Sequence, residues 1–270
     1  GLKRIYYTTG ACSLFQNESE NVRILNINQR KGVSLLPQRT VPWNWSKSLC
    51  FSDLIICVGN EWTKSTYSKH TNTAILSLNL TATINRKMTR LKPELPKRKG
   101  SFLWFGSNGL VHKGLDLCLD YFSENPELHL HICGPMEPEF FKAYEKELGK
   151  NNIFYHGLVE VHSDKFIEII KACNFSILPT CSEGQATALL TSMGAGLIPI
   201  SSLYCGVDLS NMGILIEELS LLGIKNSVSK ALSLNEMDIK RMSEKVKDFI
   251  LSNHSEEKFY FNMKNIIKEF

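Results

Sequence analysis

The sequence predicts an α/β fold in which helices cover both faces of a parallel, doubly wound sheet. From residue 101 onward, short apolar runs of strand length alternate with amphipathic stretches of helical periodicity, which is the pattern of βαβ units. In the first hundred residues only three strand-like runs can be recognised. We therefore expect one complete doubly wound domain and one partial domain of the same type.

The second part of the chain supplies the elements of the complete domain. The strand candidates are short runs rich in leucine, isoleucine and aromatic residues, at 101–105 (SFLWF), 128–133 (LHLHIC), 153–156 (IFYH), 175–178 (FSIL), 197–201 (LIPIS) and 213–216 (GILI). The helix candidates between them carry apolar residues three and four positions apart, at 114–122, 138–148, 164–172 and 186–195. Alternation of this kind predicts a parallel sheet.

The first part of the chain is less regular. Its strand candidates are 4–8, 54–58 and 74–78, and the basic stretch 28–42 between them lacks clear periodicity. Prolines, a glycine and charged residues concentrate just before residue 101, and after residue 234 the pattern is helical to the end of the chain. The predicted organisation is a partial domain (1–92), a linker (93–100), a complete domain (101–254) and a terminal helix (255–270).

Composition limits the classes of function. Hydrophobic residues make up 43% and charged residues 21% of the chain, and no apolar run approaches the roughly 18 to 20 residues that a membrane-spanning helix needs. Eight scattered cysteines without a CxxC pair indicate buried thiols in a cytoplasmic protein. The net charge of +4 is mild, and the basic cluster 97–99 has no interleaved aromatic residues, which argues against nucleic-acid binding.

Two motifs point to the binding of an anion. In FGSNGLVHKGLD (105–116) a strand ends in a glycine loop and a helix follows Lys113. Outward-facing amides and a helix N-terminus attract an anion such as a diphosphate, and Lys113 adds a full positive charge. Turn geometry alone explains such glycines equally well. The second motif, LPTCSEGQATALLTSMGAGLIPI (178–200), joins a strand end, a loop with Glu183 and Gly184, and a helix start.

In order and spacing, these two stretches resemble the C-terminal domain of the retaining glycosyltransferases of family 4, which have the GT-B architecture. That family carries a glycine loop with a downstream Lys-Gly and then a Pro-Ser-x-x-Glu-Gly-x-Gly segment. Residues 131–135 (HICGP) and 155–159 (YHGLV) resemble further landmarks of the family, so the resemblance covers about residues 100–205. Residues 5–23 and 55–67 are similar to the last strands of its acceptor-binding domain.

The resemblance implies a GT-B fold with one complete and one partial Rossmann-like domain, and a last helix that crosses back to the first part of the chain. It implies transfer of a hexose from a nucleotide-sugar donor, with retention and without a cofactor or a metal ion, and the sequence has no Asp-x-Asp pair. The acceptor would be a glycan or lipid-linked glycan in polysaccharide or glycolipid assembly. Contact with the inner membrane face is a further expectation.

The resemblance also implies roles for individual residues. Lys113 and Glu183 are the expected catalytic residues, because Lys113 would neutralise the leaving diphosphate and Glu183 would orient the sugar. The backbone amides of Gln185 and Ala186 would meet the diphosphate. The expected donor-binding residues are Gly106, Ser107, Asn108, Lys113, Gly134, Glu183, Gly184, Gln185, Ala186, Thr187 and Thr191.

The sequence departs from the family pattern at three places. Ser107 and Asn108 stand where the family usually has an arginine, Thr191 stands where it has a second glutamate, and Cys12 stands where a histidine is common. These departures leave open a degenerate or truncated nucleotide-sugar-binding module without turnover. A nucleotide-sugar epimerase of the same architecture is the other alternative, and it would need additional acid and base groups in the cleft.

Several residues allow both a functional and a structural interpretation. His129 and His131 share one strand face, but without a third ligand a structural role is favoured over a metal site. For His112, beside Lys113, an exposed loop residue is favoured over a contact with the donor. Aromatic packing and sugar stacking are both open for Trp43, Trp45 and Trp62. A solvated face is favoured over a lipid contact for the basic residues Arg23, Arg30, Lys31 and Arg39.

Overall fold

The computed structural model describes residues 2–42, 45, 47–91 and 100–270, and these residues form two parallel sheets. The smaller sheet has the order β1-β2-β3 and consists of Ile5–Thr8, Leu54–Val58 and Ile75–Leu78. We call this sheet with its helices the N-terminal unit. The predicted α/β fold with parallel sheets, one of them small, is confirmed.

The larger sheet forms the C-terminal unit and has the order β6-β5-β4-β7-β8-β9. Its strands are β4 (Ser101–Phe105), β5 (His129–Cys133), β6 (Ile153–Gly157), β7 (Phe175–Leu178), β8 (Ile198–Ser202) and β9 (Ile214–Ile216). The chain builds outward from β4 to β6 and then returns to build β7 to β9 on the other side of β4. A crevice therefore opens between the carboxyl ends of β4 and β7, where ligands bind in open sheets of this kind.

The helices of the N-terminal unit are α1 (Ser13–Lys31), α2 (Ser48–Phe51), α3 (Glu61–Ser68) and α4 (Arg86–Thr89). Those that follow are α5 (Leu115–Ser123), α6 (Pro138–Ala143), α7 (Glu145–Leu148), α8 (Asp164–Ala172), α9 (Thr187–Gly194), α10 (Leu221–Ser233), α11 (Glu236–Asn253) and α12 (Glu256–Glu269). The one helix expected over 138–148 is two short helices, because Tyr144 leaves the helical region at φ −115° and ψ 19°.

Aromatic side chains of β4 fill the core of the C-terminal unit. Phe102 and Trp104 are fully buried on one face of the strand, and Phe102 stacks on Phe175 with ring centroids 5.2 Å apart. Leu103 points to the opposite face, where it joins a second apolar cluster with Phe166 of α8. Burial of each such side chain stabilises the fold by about 1.5 to 3 kcal/mol. Apolar packing on both faces is what a doubly wound sheet requires.

Helix α1 was not expected from the sequence, because the face that it buries is largely polar. Its buried residues include Gln16, Glu20 and Arg23 as well as Ile24 and Ile27. These buried positions recur at helical spacing along a helix of 19 residues, but only Ile24 and Ile27 among them are apolar. The apolar periodicity that identifies the other helices is therefore weak in α1, because polar side chains occupy most of its buried positions.

The basic residues of α1 form ion pairs with the C-terminal unit, which corrects the expectation of a solvated face. Arg23 Nη2 lies 2.7 Å from Asp116, and Arg30 Nη2 lies 2.8 Å from the same carboxylate. Lys31 Nζ lies 2.5 Å from Glu147 on α7. The lipid contact considered for these residues has no support in this arrangement, because their charges are already compensated by carboxylates.

The last helix, α12, packs on the N-terminal unit. Its apolar face consists of Phe259, Met263, Ile266 and the adjoining Phe270, and it covers the β2 residues Leu54 and Ile56 and the β3 residue Leu78. The domain boundaries themselves stay a prediction, and residues 92–99 of the expected linker region lie outside the described residues, as does Trp43. Within the described part of the chain, no helix combines the length and apolar character that a membrane crossing requires.

The cysteines are free thiols. Those of the interior are Cys12, Cys57, Cys118, Cys133, Cys173, Cys181 and Cys205, whereas Cys50 is exposed. The expectation of mostly buried thiols is confirmed. Burial raises the pKa of Cys57, Cys133 and Cys181 to about 12, so these thiols stay protonated.

Candidate active site

A cleft of about 440 Å³ lies between the two sheets, at the carboxyl ends of β1, β3, β4 and β7. The N-terminal unit lines it with Thr9, Arg39, Leu80 and Thr83. The C-terminal unit lines it with Phe105, Gly106, Ser107, Lys113, Leu158, Val161, Leu178, Glu183, Gln185, Ala186, Thr187, Ala188 and Thr191. The cleft thus occupies the crevice that the strand order predicts.

Lys113 and Glu183 form an ion pair in the wall of this cleft. Lys113 Nζ donates a hydrogen bond to Glu183 Oε1, and Thr180 Oγ1 donates to the same oxygen at 3.3 Å. Only 7% and 10% of the two charged side chains are exposed. Gly114, which follows the lysine, has a φ of 72°, and a Cβ there would lie 2.3 Å from the carbonyl oxygen of Pro179. Glycine thus lets the two loops lie side by side.

The Glu183 carboxylate is ionised although it is buried. Burial opposes ionisation, but the charge of Lys113, with a smaller contribution from that of Arg39, outweighs it and lowers the pKa of Glu183 below its ordinary value. The lysine charge is therefore compensated by a carboxylate before any ligand enters. A diphosphate in the cleft must compete with Glu183 for Lys113 or meet a second cation.

His112 is completely buried, which corrects the expectation of an exposed loop residue. Its Nε2 lies 2.5 Å from the carbonyl oxygen of Ser182, and its own carbonyl accepts a hydrogen bond from Cys181 N at 2.9 Å. Burial lowers the pKa of His112 to about 4, so the ring is neutral. The hydrogen bonds of His112 therefore connect the glycine loop to the loop that carries Glu183.

Helix α9 begins in the cleft. Its N-cap residue, Ala186, makes no side-chain cap hydrogen bond, and Thr187 and Ala188 of the first turn line the cleft. The amide of Ala186 does not face a ligand as expected, because it donates to the carbonyl oxygen of Cys205 at 3.0 Å. The partial positive charge of the helix N-terminus is nevertheless directed at the cleft.

Gly184 and Gln185 connect the site to the N-terminal unit. Gln185 Oε1 accepts a hydrogen bond from Leu80 N at 2.7 Å, and its Nε2 donates to Asn79 Oδ1 at 2.7 Å. The Gly184 carbonyl accepts from Thr63 Oγ1 at 3.1 Å. A Cβ on Gly184 would lie 2.3 Å from the Thr9 carbonyl oxygen, so only glycine permits this close approach.

Two backbone amides of the glycine loop are hydrogen-bonded to a carboxylate of the chain itself, that of Glu137. The amides of Gly109 and Leu110 donate to Glu137 Oε1 at 2.5 Å and 3.2 Å. The amide of Gly106 donates to the Cys133 carbonyl at 3.0 Å. The loop therefore has the amide geometry that the motif predicts, but a carboxylate of this chain takes two of its donors.

The structure brings most of the expected site residues to one cleft. Those that line it are Gly106, Ser107, Lys113, Glu183, Gln185, Ala186, Thr187 and Thr191. Asn108 lines a separate cavity with Glu137 and His112. Gly134 packs on Trp104, because a Cβ there would lie 2.7 Å from the indole ring. These two residues and Gly184 are the expected donor-binding residues that do not belong to the lining of the cleft.

The contribution of the N-terminal unit was not recognised from the sequence. Arg39 lies in the irregular stretch that lacks periodicity, and nothing in its sequence context marks it as a cleft residue. Cys12 is buried at the start of α1, where its amide donates to Thr66 Oγ1 at 3.0 Å, and Thr9 lines the cleft instead. The proximity of these residues to the C-terminal motifs arises only from the packing of the two units.

In the part of the chain that the structure describes, the histidines and tryptophans for which the sequence left a metal site or sugar stacking open lie outside the lining of the cleft. His131 Nδ1 lies 3.0 Å from His156 Nε2, and the two rings are stacked. Within the described residues, no group of three histidine, cysteine or acidic side chains is arranged to hold a metal ion. Trp62 packs against Phe15 and Tyr204 with ring centroids 5.4 Å and 5.3 Å away, and Trp45 is exposed.

Solved structures with the same fold are glycosyltransferases and related enzymes. Sucrose-phosphate synthase from Thermosynechococcus elongatus aligns with a TM-score of 0.68 at 14% identity over 83% of this chain, but the chain spans only 60% of that protein. WaaG, a glycosyltransferase involved in lipopolysaccharide biosynthesis, aligns at 0.60 and 17% identity over 93% of this chain and 70% of WaaG. Identities this low show the fold alone.

HepE of Anabaena, solved in complex with UDP and glucose, aligns with a TM-score of 0.67 at 10% identity over 98% of this chain and 71% of HepE. No curated protein sequence matches the chain. The family model of the glycosyl transferases group 1 matches residues 88–265, which include the two sequence motifs 105–116 and 178–200 and the whole six-stranded sheet. The chain therefore belongs to the group 1 glycosyl transferases.

Proposed function

We propose that this chain carries the donor site of a glycosyltransferase that uses a nucleotide sugar. The observation that carries the proposal is the buried Lys113–Glu183 pair in the cleft, beside the uncapped start of α9. A cation and a helix N-terminus suit a diphosphate, and an ionised carboxylate suits sugar hydroxyls. Membership of the group 1 glycosyl transferases supports the same assignment.

In the transfer, the bond between the anomeric carbon and the diphosphate breaks, and the diphosphate leaves with the electron pair. The acceptor oxygen forms the new bond and transfers its proton to an oxygen of the leaving diphosphate. We assign Lys113 and the first-turn amides of Thr187 and Ala188 to the diphosphate, whose charge grows as the bond breaks. Glu183 accepts hydrogen bonds from the sugar and fixes its orientation. Thr191 offers one hydroxyl to the nucleotide side of the cleft.

Several finer features belong to this proposal. They are a hexose as the transferred group, retention of configuration, chemistry without a metal ion or cofactor, and a glycan or lipid-linked glycan as acceptor. The HepE complex with UDP and glucose supports a nucleotide and a hexose. The role of WaaG in lipopolysaccharide biosynthesis supports polysaccharide or glycolipid assembly. A cytoplasmic location at or near the inner membrane face is part of the same proposal.

A donor-binding module without turnover is the second candidate. It is favoured by Glu137, whose carboxylate occupies the Gly109 and Leu110 amides of the glycine loop, and by the departures at Ser107 and Thr191. The epimerase alternative has less support, because Glu183 is the one carboxylate among the described residues that line the cleft, and no histidine of that part of the chain lines it. An acid–base pair is therefore not assembled there.

Calorimetric titration with UDP, UDP-glucose, GDP and ADP tests the donor site. We expect the wild type to bind at least one of these ligands and Lys113→Ala to bind it about 10- to 100-fold more weakly, as loss of a charged hydrogen bond predicts. Lys146→Ala serves as the control, because Lys146 is exposed on α7. If the folded wild type binds none of them at millimolar concentration, the donor-site assignment is wrong.

A further inference from the structure

Arg39 enters the cleft from the N-terminal unit, opposite the glycine loop. It lines the cleft together with Lys113, and these two are the basic side chains among the described lining residues. Its charge is close enough to the buried Glu183 to favour ionisation of that carboxylate. The cleft thus contains a cation that comes from outside the two sequence motifs.

The backbone of Arg39 is fixed by two side chains of α1. Its amide donates to both carboxylate oxygens of Glu20, at 2.9 Å and 3.1 Å, and its carbonyl accepts from Gln16 Nε2 at 2.6 Å. Glu20 and Gln16 are themselves buried. The irregular loop is therefore held against α1 at Arg39 and also at its neighbours, since the Gln38 amide donates to Glu20 at 2.9 Å and the Val41 amide donates to Asn17 at 2.8 Å. These hydrogen bonds fix the start of the Arg39 side chain.

The guanidinium group itself has unused hydrogen-bonding capacity. The side chain crosses to the glycine loop, where a Cβ on Gly109 would lie 2.4 Å from Arg39 Cδ, and Nη1 makes a long hydrogen bond of 3.4 Å to the Asn108 carbonyl. Arg39 Nε is buried and has no hydrogen-bond partner. Buried N–H donors are normally paired, so an unpaired one beside a cleft indicates a missing acceptor.

The charges in the cleft also call for a second cation. Lys113 is compensated by Glu183, whereas Arg39 forms no salt bridge with any carboxylate in the described ranges 2–42, 45, 47–91 and 100–270. Ser107 and Asn108 of the glycine loop contribute no charge. A diphosphate carries more negative charge than the compensated Lys113–Glu183 pair can balance. The Arg39 guanidinium is close enough to the Glu20 and Glu183 carboxylates to favour their ionisation but is in contact with neither, so it is the cation of the cleft that is free to attract a diphosphate.

We propose that Arg39 is a donor-binding residue whose guanidinium donates hydrogen bonds to phosphate oxygens of the nucleoside diphosphate in the cleft that it lines together with Lys113. The proposal rests on the proposed function and deepens it, because it makes diphosphate binding a joint property of the two units. The planar guanidinium suits phosphate, since Nε and the Nη groups can donate to two oxygens at once.

Three substitutions separate this role from structural support of the glycine loop. Arg39→Ala removes both the charge and the side-chain stem, Arg39→Lys keeps the charge, and Arg39→Gln keeps a donor for the Asn108 carbonyl without charge. Each variant is first checked by thermal unfolding, and each is then titrated with whichever of UDP, GDP and ADP the wild type binds most tightly. Titrations at low and high salt report how much of the affinity depends on charge.

We expect Arg39→Ala and Arg39→Gln to weaken binding about 10- to 100-fold, and Arg39→Lys to recover most of the loss. The salt dependence of binding falls in the two uncharged variants only. Wild-type affinity in a folded Arg39→Gln or Arg39→Ala overturns the proposal. If the wild type binds the nucleotide, Lys113→Ala does not, and the Arg39 variants bind with wild-type affinity, the role of Arg39 is wrong but the proposed function stands. If the wild type binds no nucleotide, both the role of Arg39 and the proposed function are wrong.

Discussion

Arg23 and Asp116 join the two units through a buried ion pair in which Arg23 Nη2 donates to both carboxylate oxygens at 2.7 Å. Only 4% of the arginine side chain and none of the aspartate side chain are exposed. Arg30 binds the same carboxylate and, through Nε, that of Asp120 at 2.8 Å, so two aspartates of α5 compensate two arginines of α1. Asp116 is the one of the two that holds the buried Arg23, and it therefore helps to fix the orientation of α1 against the C-terminal unit.

Replacement of Asp116 by asparagine is expected to lower the free energy of unfolding by about 3 to 5 kcal/mol, because Arg23 stays buried without its counter-charge. Urea denaturation followed by circular dichroism measures the change. Glu217→Gln is the matched control, since Glu217 pairs with Lys230 at 3.0 Å with both side chains more than half exposed, and should cost less than about 1 kcal/mol. Equal losses for the two variants would show that burial of the pair is unimportant.

The Lys113–Glu183 pair leads to opposite expectations for its two members. Lys113→Ala should weaken nucleoside diphosphate binding by about 1.5 to 3 kcal/mol, whereas Glu183→Gln should leave binding unchanged or strengthen it, because the lysine is released from its counter-ion. Glu183→Gln should instead slow release of the nucleoside diphosphate from the nucleotide sugar. Titration calorimetry and a coupled assay for this release measure the two effects, and weaker binding by Glu183→Gln than by Lys113→Ala contradicts the assignment.

His112 predicts a loss of stability in acid. Its pKa is lowered to about 4 in the folded protein, from an ordinary value of 6.5, so the unfolded chain takes up a proton below pH 6.5 that the folded protein refuses. The contribution of the neutral ring is complete above about pH 6.5 and is lost as the pH falls towards 4. In His112→Gln, the slope of unfolding free energy against pH in this window should decrease by up to about 1.4 kcal/mol per pH unit.

The control for the histidine experiment is His70→Gln, because His70 is exposed. Urea unfolding at several values between pH 4 and pH 7 gives the slope for each variant. A glutamine at 112 keeps a donor for the Ser182 carbonyl, so the comparison isolates the proton from the hydrogen bond. The same slope in His112→Gln and in the wild type would mean that His112 titrates normally in the folded protein.

Gly184 is the second place where the two units meet closely. In Gly184→Ala the new Cβ would lie 2.3 Å from the Thr9 carbonyl oxygen and 2.9 Å from that of Val58, so backbone must move. We expect the free energy of unfolding to fall by about 1 to 3 kcal/mol, as overpacking predicts. Gly149→Ala is the control, because its Cβ would meet its nearest atom at 3.4 Å, and should change stability by less than about 1 kcal/mol.

The sequence predicts the C-terminal unit and the strands of the N-terminal unit well, but it does not predict the helices of the N-terminal unit, for reasons that particular elements show. Strand β4 and helix α8 have the expected bounds because their apolar periodicity is local, and Ser163 caps α8 by accepting from Phe166 N. Helix α1 is missed because the partner of its buried Arg23 is 93 residues away. When most of the buried side chains of a helix are polar and pair with side chains of another unit, apolar residues do not mark its buried face in the sequence.

Some residues of the candidate site can likewise be predicted from the sequence and others cannot. Lys113 and Glu183 lie in motifs whose strand, loop and helix sequence predicts their proximity at one sheet edge. Arg39 and the Ala186 amide cannot be assigned in this way, because their surroundings depend on packing between distant segments. The Ala186 amide is taken by Cys205, which follows β8 in a short helical turn. Motifs therefore indicate which groups are present, whereas tertiary contacts decide which of them are available.

Glu183 and Gln185 are separated by one residue, yet their side chains bind different units. Glu183 holds Lys113, and Gln185 holds Asn79 and the Leu80 amide. A rotation of one unit against the other must either break the Gln185 hydrogen bonds or carry this loop with it. In the second case the Glu183 carboxylate moves relative to Lys113. Opening of the cleft would then separate the ion pair and leave the charge of Lys113 uncompensated.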